Sequence, residues 1–79
     1  MIEVCEVRAS SDYKLILYFN NGEKRSFDMT PYLQYTVFRR LENKAFFSLA
    51  HVDYGTVVWP GEIDIAPETL YNKSVPLIM

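Results

Sequence analysis

Gly55-Thr56-Val57-Val58-Trp59-Pro60-Gly61-Glu62-Ile63-Asp64-Ile65-Ala66-Pro67-Glu68-Thr69-Leu70-Tyr71 carries the only Trp of the chain, two of its four Pro and two of its three Gly. Thr56 to Trp59 is β-branched and aromatic, which predicts a strand. Pro60 has no N–H to give a ladder, so the strand ends there and Pro60-Gly61 turns the chain. Pro67 brings the fixed φ that suits the first turn of a helix, and Glu68 favours its positive end. A short helix through Leu70 and Tyr71 follows, with Asp64 placed to cap either end of the Asp64–Ala66 turn.

Upstream of this stretch, Phe46 to Asp53 alternates Phe47, Leu49 and His51 against Phe46, Ser48, Ala50 and Val52. That pattern predicts a strand, which Tyr54-Gly55 turns into Thr56–Trp59 as a hairpin. At the start of the chain, Ile2 to Ala9 alternates as a half-buried strand until Val7 breaks the pattern, and Ser10 to Asp12 reads as a turn. Lys14 to Asn20 is the strongest strand, with Leu15, Leu17 and Phe19 on one face and Ile16 and Tyr18 on another nearly as apolar, the mark of a central strand. The Asn20-Asn21-Gly22 signal that follows opens a hairpin. A two-residue loop would set Leu15 opposite Asp28, whereas a three-residue loop with Gly22 left-handed sets Leu15 opposite Phe27 and Leu17 opposite the Arg25 stem; the latter keeps apolar groups together.

Thr30-Pro31 reads as a helix start, Thr30 capping and Pro31 at the first helical position. Leu33, Val37, Phe38 and Leu41 recur on one helical face, in one rod or, with a restart at Thr36, two short pieces; Glu42-Asn43-Lys44 reads as a break. Val75 to Met79 is apolar with Pro76 inside it, hence an edge or docking segment.

With 79 residues there is room for one domain, 1–79, near the size at which burial only just offsets an ordering cost of roughly 1.5 kcal/mol per residue. A chain that is 49% apolar, with six Tyr, five Phe and one Trp, is too apolar for a disordered tail. A net charge of −2 argues against direct nucleic-acid binding, and the pairs Lys24-Arg25 and Arg39-Arg40 read as solvated faces. The single Cys5 permits no internal disulfide or Cys-based zinc site, reads as a small buried thiol, and fits a reducing cytoplasm. The acidic start lacks the pattern of an export signal, and no run approaches the about 18 apolar residues of a membrane span.

His51 and Asp53 share a strand face that Asp64 or Glu68 could join, but two such residues without a third at motif spacing are commonplace, and no metal or cofactor is expected. Ser48 points away from His51 on a strand, so Ser48, His51 and Asp53 cannot converge as a triad, and no catalytic residue is assigned. Trp59, Asp64, Glu68 and Tyr71 are the candidate partner-binding set, an aromatic and acidic surface for a basic segment. Their structural reading makes Trp59 a core anchor and Asp64 and Glu68 end-of-helix charges, with Tyr71 packing the helix down.

Leu17-Tyr18-Phe19-Asn20-Asn21-Gly22-Glu23, Phe27-Asp28, Phe38 with Leu41, Phe46, Val52-Asp53, Gly55 to Pro60 and Asp64 to Tyr71 together resemble a small bacterial family, domain-of-unknown-function family 2442. The Trp-Pro and Asp-x-x-Pro-Glu-x-Leu-Tyr pieces are the specific ones; members often carry Asn-Gly soon after the Trp, where this chain has Gly61-Glu62. The resemblance implies a compact α+β domain with no established activity, found alone or joined to a helix-turn-helix. It also implies an antitoxin-like role beside a small protein from a neighbouring gene.

The expected fold is therefore α+β: a three-stranded antiparallel meander, a helical segment, a second hairpin extending or facing that sheet, and a short C-terminal helix. The expected function is a non-enzymatic, cytoplasmic protein-interaction module with a protein partner, a homo-oligomer being the other association open to it. The alternative is a small enzyme or ligand-binding protein whose site forms in an oligomer, with His51 its acid–base group.

Overall fold

The computed structural model describes residues 1–77. Along them run β1 (Val4–Ala9), β2 (Lys14–Phe19), β3 (Lys24–Asp28), two 3₁₀ segments (Thr30–Tyr32 and Thr36–Glu42), α1 (Lys44–Phe47), β4 (His51–Asp53), β5 (Thr56–Trp59), β6 (Ile63–Ile65), α2 (Pro67–Lys73) and β7 (Val75–Pro76). The strands form two antiparallel sheets, ordered β1-β2-β3-β7 and β4-β5-β6, so the chain is a small α+β domain.

Leu15, Leu17 and Phe19 are all buried on one face of β2, which lies between β1 and β3 as its two apolar faces predict. Leu15 pairs with Phe27 and Leu17 with Arg25, the register that a three-residue loop demands. The Phe19 N–H donates to the Glu23 carbonyl at 2.9 Å, and Gly22 sits at φ +88, where only a residue without a Cβ is unstrained.

The break in β1 at Val7 has a physical cause. Val4 pairs with Phe19 but Glu6 pairs with Tyr18, so Cys5 is an extra residue, a β-bulge. The bulge shifts the side-chain parity by one, and Val7 and Ala9 then stand opposite Leu17 and Leu15 on the same sheet face as Val4. Cys5, left without a partner position, is exposed, which corrects the expectation of a buried thiol.

The helical segment is two 3₁₀ pieces. Thr30 does not cap the first; the Asp28 carboxylate does the corresponding work, Oδ1 accepting from the Thr30 N–H at 2.9 Å. The second piece repeats every three residues rather than every 3.6. Phe38 and Leu41 consequently share the inner stripe, and Val37, 59% exposed, turns outward with Arg40 instead of joining Leu33, Phe38 and Leu41 as α-helical spacing would have it.

Phe46–Asp53 is not one strand. The Asn43 side chain accepts the Phe46 N–H at 3.1 Å and so starts α1 within the predicted break; a turn over Ser48–Ala50 follows, and only His51–Asp53 pairs with β5. Beyond the Pro60-Gly61 turn, Ile63 and Ile65 lie opposite Trp59 and Val57 and are buried, so the hairpin gains a third strand that its three-residue length concealed. Asp64 points outward from this strand and caps nothing. The residue ahead of α2 is Ala66, with no side-chain cap, and Pro67, Glu68 and Lys73 set the helix ends instead.

One core joins the sheets, containing Leu15, Leu17, Phe27, Leu41, Phe47, Val57, Trp59 and Leu70. The Val4 N–H donates to the Gly55 carbonyl at 2.9 Å, stitching β1 to the β4–β5 turn. The apolar tail enters as the edge segment expected: Val75 and Pro76 pair with Ser26 and Arg25, while Ile78 and Met79 lie outside the described residues. Leu77 N–H then reaches the Lys24 carbonyl (2.8 Å), and the Asn20 side chain donates to the Met1 carbonyl (2.9 Å).

Candidate functional site

The four residues singled out from the sequence do not form one surface. Trp59 is fully buried, its indole N–H donating to the Phe47 carbonyl at 2.9 Å and its ring 6.0 Å from that of Phe47. A buried Trp must give its N–H to an acceptor, and α1, not the C-terminal helix, supplies it. Trp59 is thus part of the core and presents nothing to a partner.

Tyr71 is half-buried in a clamp that ties α2 to the β2–β3 hairpin. Its ring packs edge-on against Phe19, its hydroxyl donates to the Glu23 carboxylate, and the Arg25 guanidinium lies 4.4 Å over its face. Arg25 also bonds Glu23 Oε1 at 2.6 Å, Ser74 Oγ at 2.7 Å and the Ser74 carbonyl at 2.9 Å. The Tyr71 hydroxyl first, then Arg25, hold the Glu23 carboxyl below the usual glutamate range. This arrangement fastens the C-terminal segment to the first sheet.

Asp64 and Glu68 are exposed, one on β6 and one on α2. His51, Val58 and Asp64 occupy one row across the outer face of the second sheet, with His51 Nδ1 3.1 Å from the Leu49 carbonyl. Among the described residues no group of three or more His, Cys, Asp or Glu side chains is placed to hold a metal ion. Ser48 lies in the turn after α1 and gives its hydroxyl to the Ala45 carbonyl at 2.6 Å, away from any pairing with His51.

A different surface does converge. Arg40, Asn43, Ala45, Phe46 and Leu49 line an open groove of about 620 Å³ between the second 3₁₀ segment and α1. Three-residue spacing puts Val37, Arg40 and Asn43 on one stripe, so the exposed Val37 continues its rim. Phe46 is half-buried and Leu49 is 50% exposed, so both present apolar surface along the groove. The Arg40 guanidinium stacks 4.4 Å over the Phe46 ring. Gly61, at φ +88, lies close by, where a Cβ would come within 2.6 Å of an Arg40 terminal nitrogen. Arg40 thus rests against an aromatic ring and near backbone that carries no side chain. It makes neither an ion pair nor a side-chain hydrogen bond among the described residues.

In the sequence Arg39-Arg40 reads as a solvated pair and Phe46 as part of a strand, although Phe46 is among the residues that carry the family resemblance. The three-residue spacing that aligns Val37 with Arg40 emerges only in the folded chain.

The family model for proteins of unknown function DUF2442 matches residues 4–76. The chain belongs to the DUF2442 family. No curated protein and no solved structure matches it. The DUF2442 match opens on the first residue of β1 and closes on the last of β7, so it spans the whole of both sheets, the groove and the Tyr71 clamp. No helix among the described residues is long and apolar enough to cross a membrane.

Proposed function

We propose that this DUF2442 chain is a non-enzymatic protein-interaction module of the bacterial cytoplasm, the antitoxin-like member of a two-gene pair, whose partner is the small protein encoded beside it. The observation that supports this reading is the groove of Arg40, Asn43, Ala45, Phe46 and Leu49, flanked by Val37. Apolar side chains left in water beside a ring-stacked charge with no partner among the described residues are the ingredients of an interface centre: burial of the former contributes affinity at about 25 cal/mol per Å², and the latter sets orientation. The candidate set named from the sequence contributes differently, since only Asp64, Glu68 and the rim of Tyr71 reach solvent.

The test is co-expression of the tagged chain with the neighbouring gene's product, followed by co-purification. A stable complex is expected, and Leu49→Asp, which places a charge in the groove without touching the buried core, should abolish it while circular dichroism stays unchanged. Failure to co-purify, or a complex indifferent to Leu49→Asp, would remove this reading.

A further inference from the structure

From the chemistry of the groove, and resting on the interaction reading above, we infer what occupies it: a linear peptide segment in which a carboxylate stands next to bulky apolar side chains. Ala45, Phe46 and Leu49, with Val37 at the rim, offer an apolar floor. Arg40 supplies one planar donor fork at its edge, and a guanidinium pairs best with a carboxylate in two parallel hydrogen bonds.

Three features make Arg40 a receptor for the partner's charge and not a solvated cation. Its guanidinium rests 4.4 Å over the Phe46 ring, a stack that restricts the side chain before anything binds, and the bare Gly61 backbone leaves it room. By contrast, the chain's other ring-stacked arginine, Arg25, has its donors taken by Glu23 and Ser74, whereas those of Arg40 have no partner among the described residues. Finally, Arg39, Arg40 and Lys44 are all exposed around the groove, against Glu42 in the same segment and Glu62 beside Gly61, so the balance there is positive within a chain of net charge −2. Charge complementarity thus selects an acidic element, and the apolar floor selects a peptide over a phosphate chain, which would leave Phe46 and Leu49 uncovered.

A random-dodecapeptide phage library panned on the full chain tests this. Enriched sequences should carry Asp or Glu beside Leu, Ile, Phe or Trp. Fluorescence polarisation of the best of them, labelled, should show binding weakened about tenfold or more by Arg40→Gln, the loss of a charge-assisted hydrogen bond. Arg40→Lys, which keeps the charge without the fork, should fall between, and exchanging the peptide's Glu for Gln should weaken binding to the wild type but not further weaken binding to Arg40→Gln. Thermal unfolding of each variant, expected to match the wild type, separates loss of binding from loss of fold. Three results would each overturn the inference: no enriched sequence, enriched sequences without a carboxylate, or equal affinity for wild type and Arg40→Gln. Displacement of the peptide by a single-stranded oligonucleotide, in an Arg40-dependent way at physiological salt, would also overturn it in favour of a phosphate ligand. If the neighbour's product still co-purifies in a Leu49-dependent manner in any of these cases, the interaction reading stands and only the identity of the occupant fails.

Discussion

Trp59 illustrates how a single side chain can bind two elements that are remote in the sequence pattern. Its ring supplies buried area, and its indole N–H meets the Phe47 carbonyl at the end of α1, which the Ala50 N–H also reaches at 3.2 Å. Trp59→Ala should therefore cost about 3–5 kcal/mol, comparable to the entire stability of a domain of this size, and leave the isolated chain unfolded by circular dichroism. A cooperative thermal transition retained in that variant, or native wild-type fluorescence already red-shifted, would contradict the buried position. Tyr54 makes the opposite case. It sits at φ 54 in the two-residue turn between β4 and β5 and is 92% exposed, so it carries left-handed strain with no packing in return. Tyr54→Asn, the residue such turns favour before Gly, should raise stability by about 0.5–1 kcal/mol, read as a higher urea midpoint at unchanged slope.

At the scale of elements, β1 offers a sharp test, because deleting a residue from a strand normally turns every later side chain to the other face. Removing Cys5 should instead restore a regular ladder, with Val4 still opposite Phe19 and Glu6 opposite Tyr18, and the deletion should fold. Removing Val7 should reverse the facing of the strand to one side of the deletion and leave insoluble protein. If both deletions behave alike in expression and thermal unfolding, the bulge is not what sets the parity. The elements also mark where the sequence is legible. The β2–β3 register could be read because only one loop length places Leu15 against Phe27, a choice made within fifteen residues. The region from Thr36 to Ala50 could not, because its outcome depends on distant groups: Trp59 takes the carbonyl that ends α1, and Gly61 leaves room for Arg40. Over seven residues the periods 3.0 and 3.6 agree on Phe38 and Leu41 and differ on Val37, so the groove rim was invisible to pattern alone. Trp59, by contrast, is legible from the sequence as a core anchor, the position it holds, whereas nothing local marks the setting of Arg40 against Gly61.

The molecule as a whole depends on the link between its β2–β3 hairpin and its last helix, and that link titrates. Glu23, its carboxyl drawn below the usual range chiefly by the Tyr71 hydroxyl and then by Arg25, stabilises the fold in its charged form. Because the folded value lies below the unfolded one, this contribution is fully present above about pH 4.3, the ordinary glutamate value, and is lost as pH falls through the folded value. Glu23→Gln should thus lower the urea midpoint at pH 7 and leave a smaller difference from the wild type at pH 3. A difference that is constant with pH would exclude Glu23 as the titrating member. Met1 and Leu77 flank this same hairpin from opposite edges of the first sheet, at Asn20 and at Lys24. Three strand spacings of about 4.8 Å separate those edges, so a linker of about six glycines from residue 77 to residue 1, crossing the β2–β3 turn, with the chain opened between the two 3₁₀ segments near Gln34, should keep every strand pair and tie β7 to β1 across the sheet.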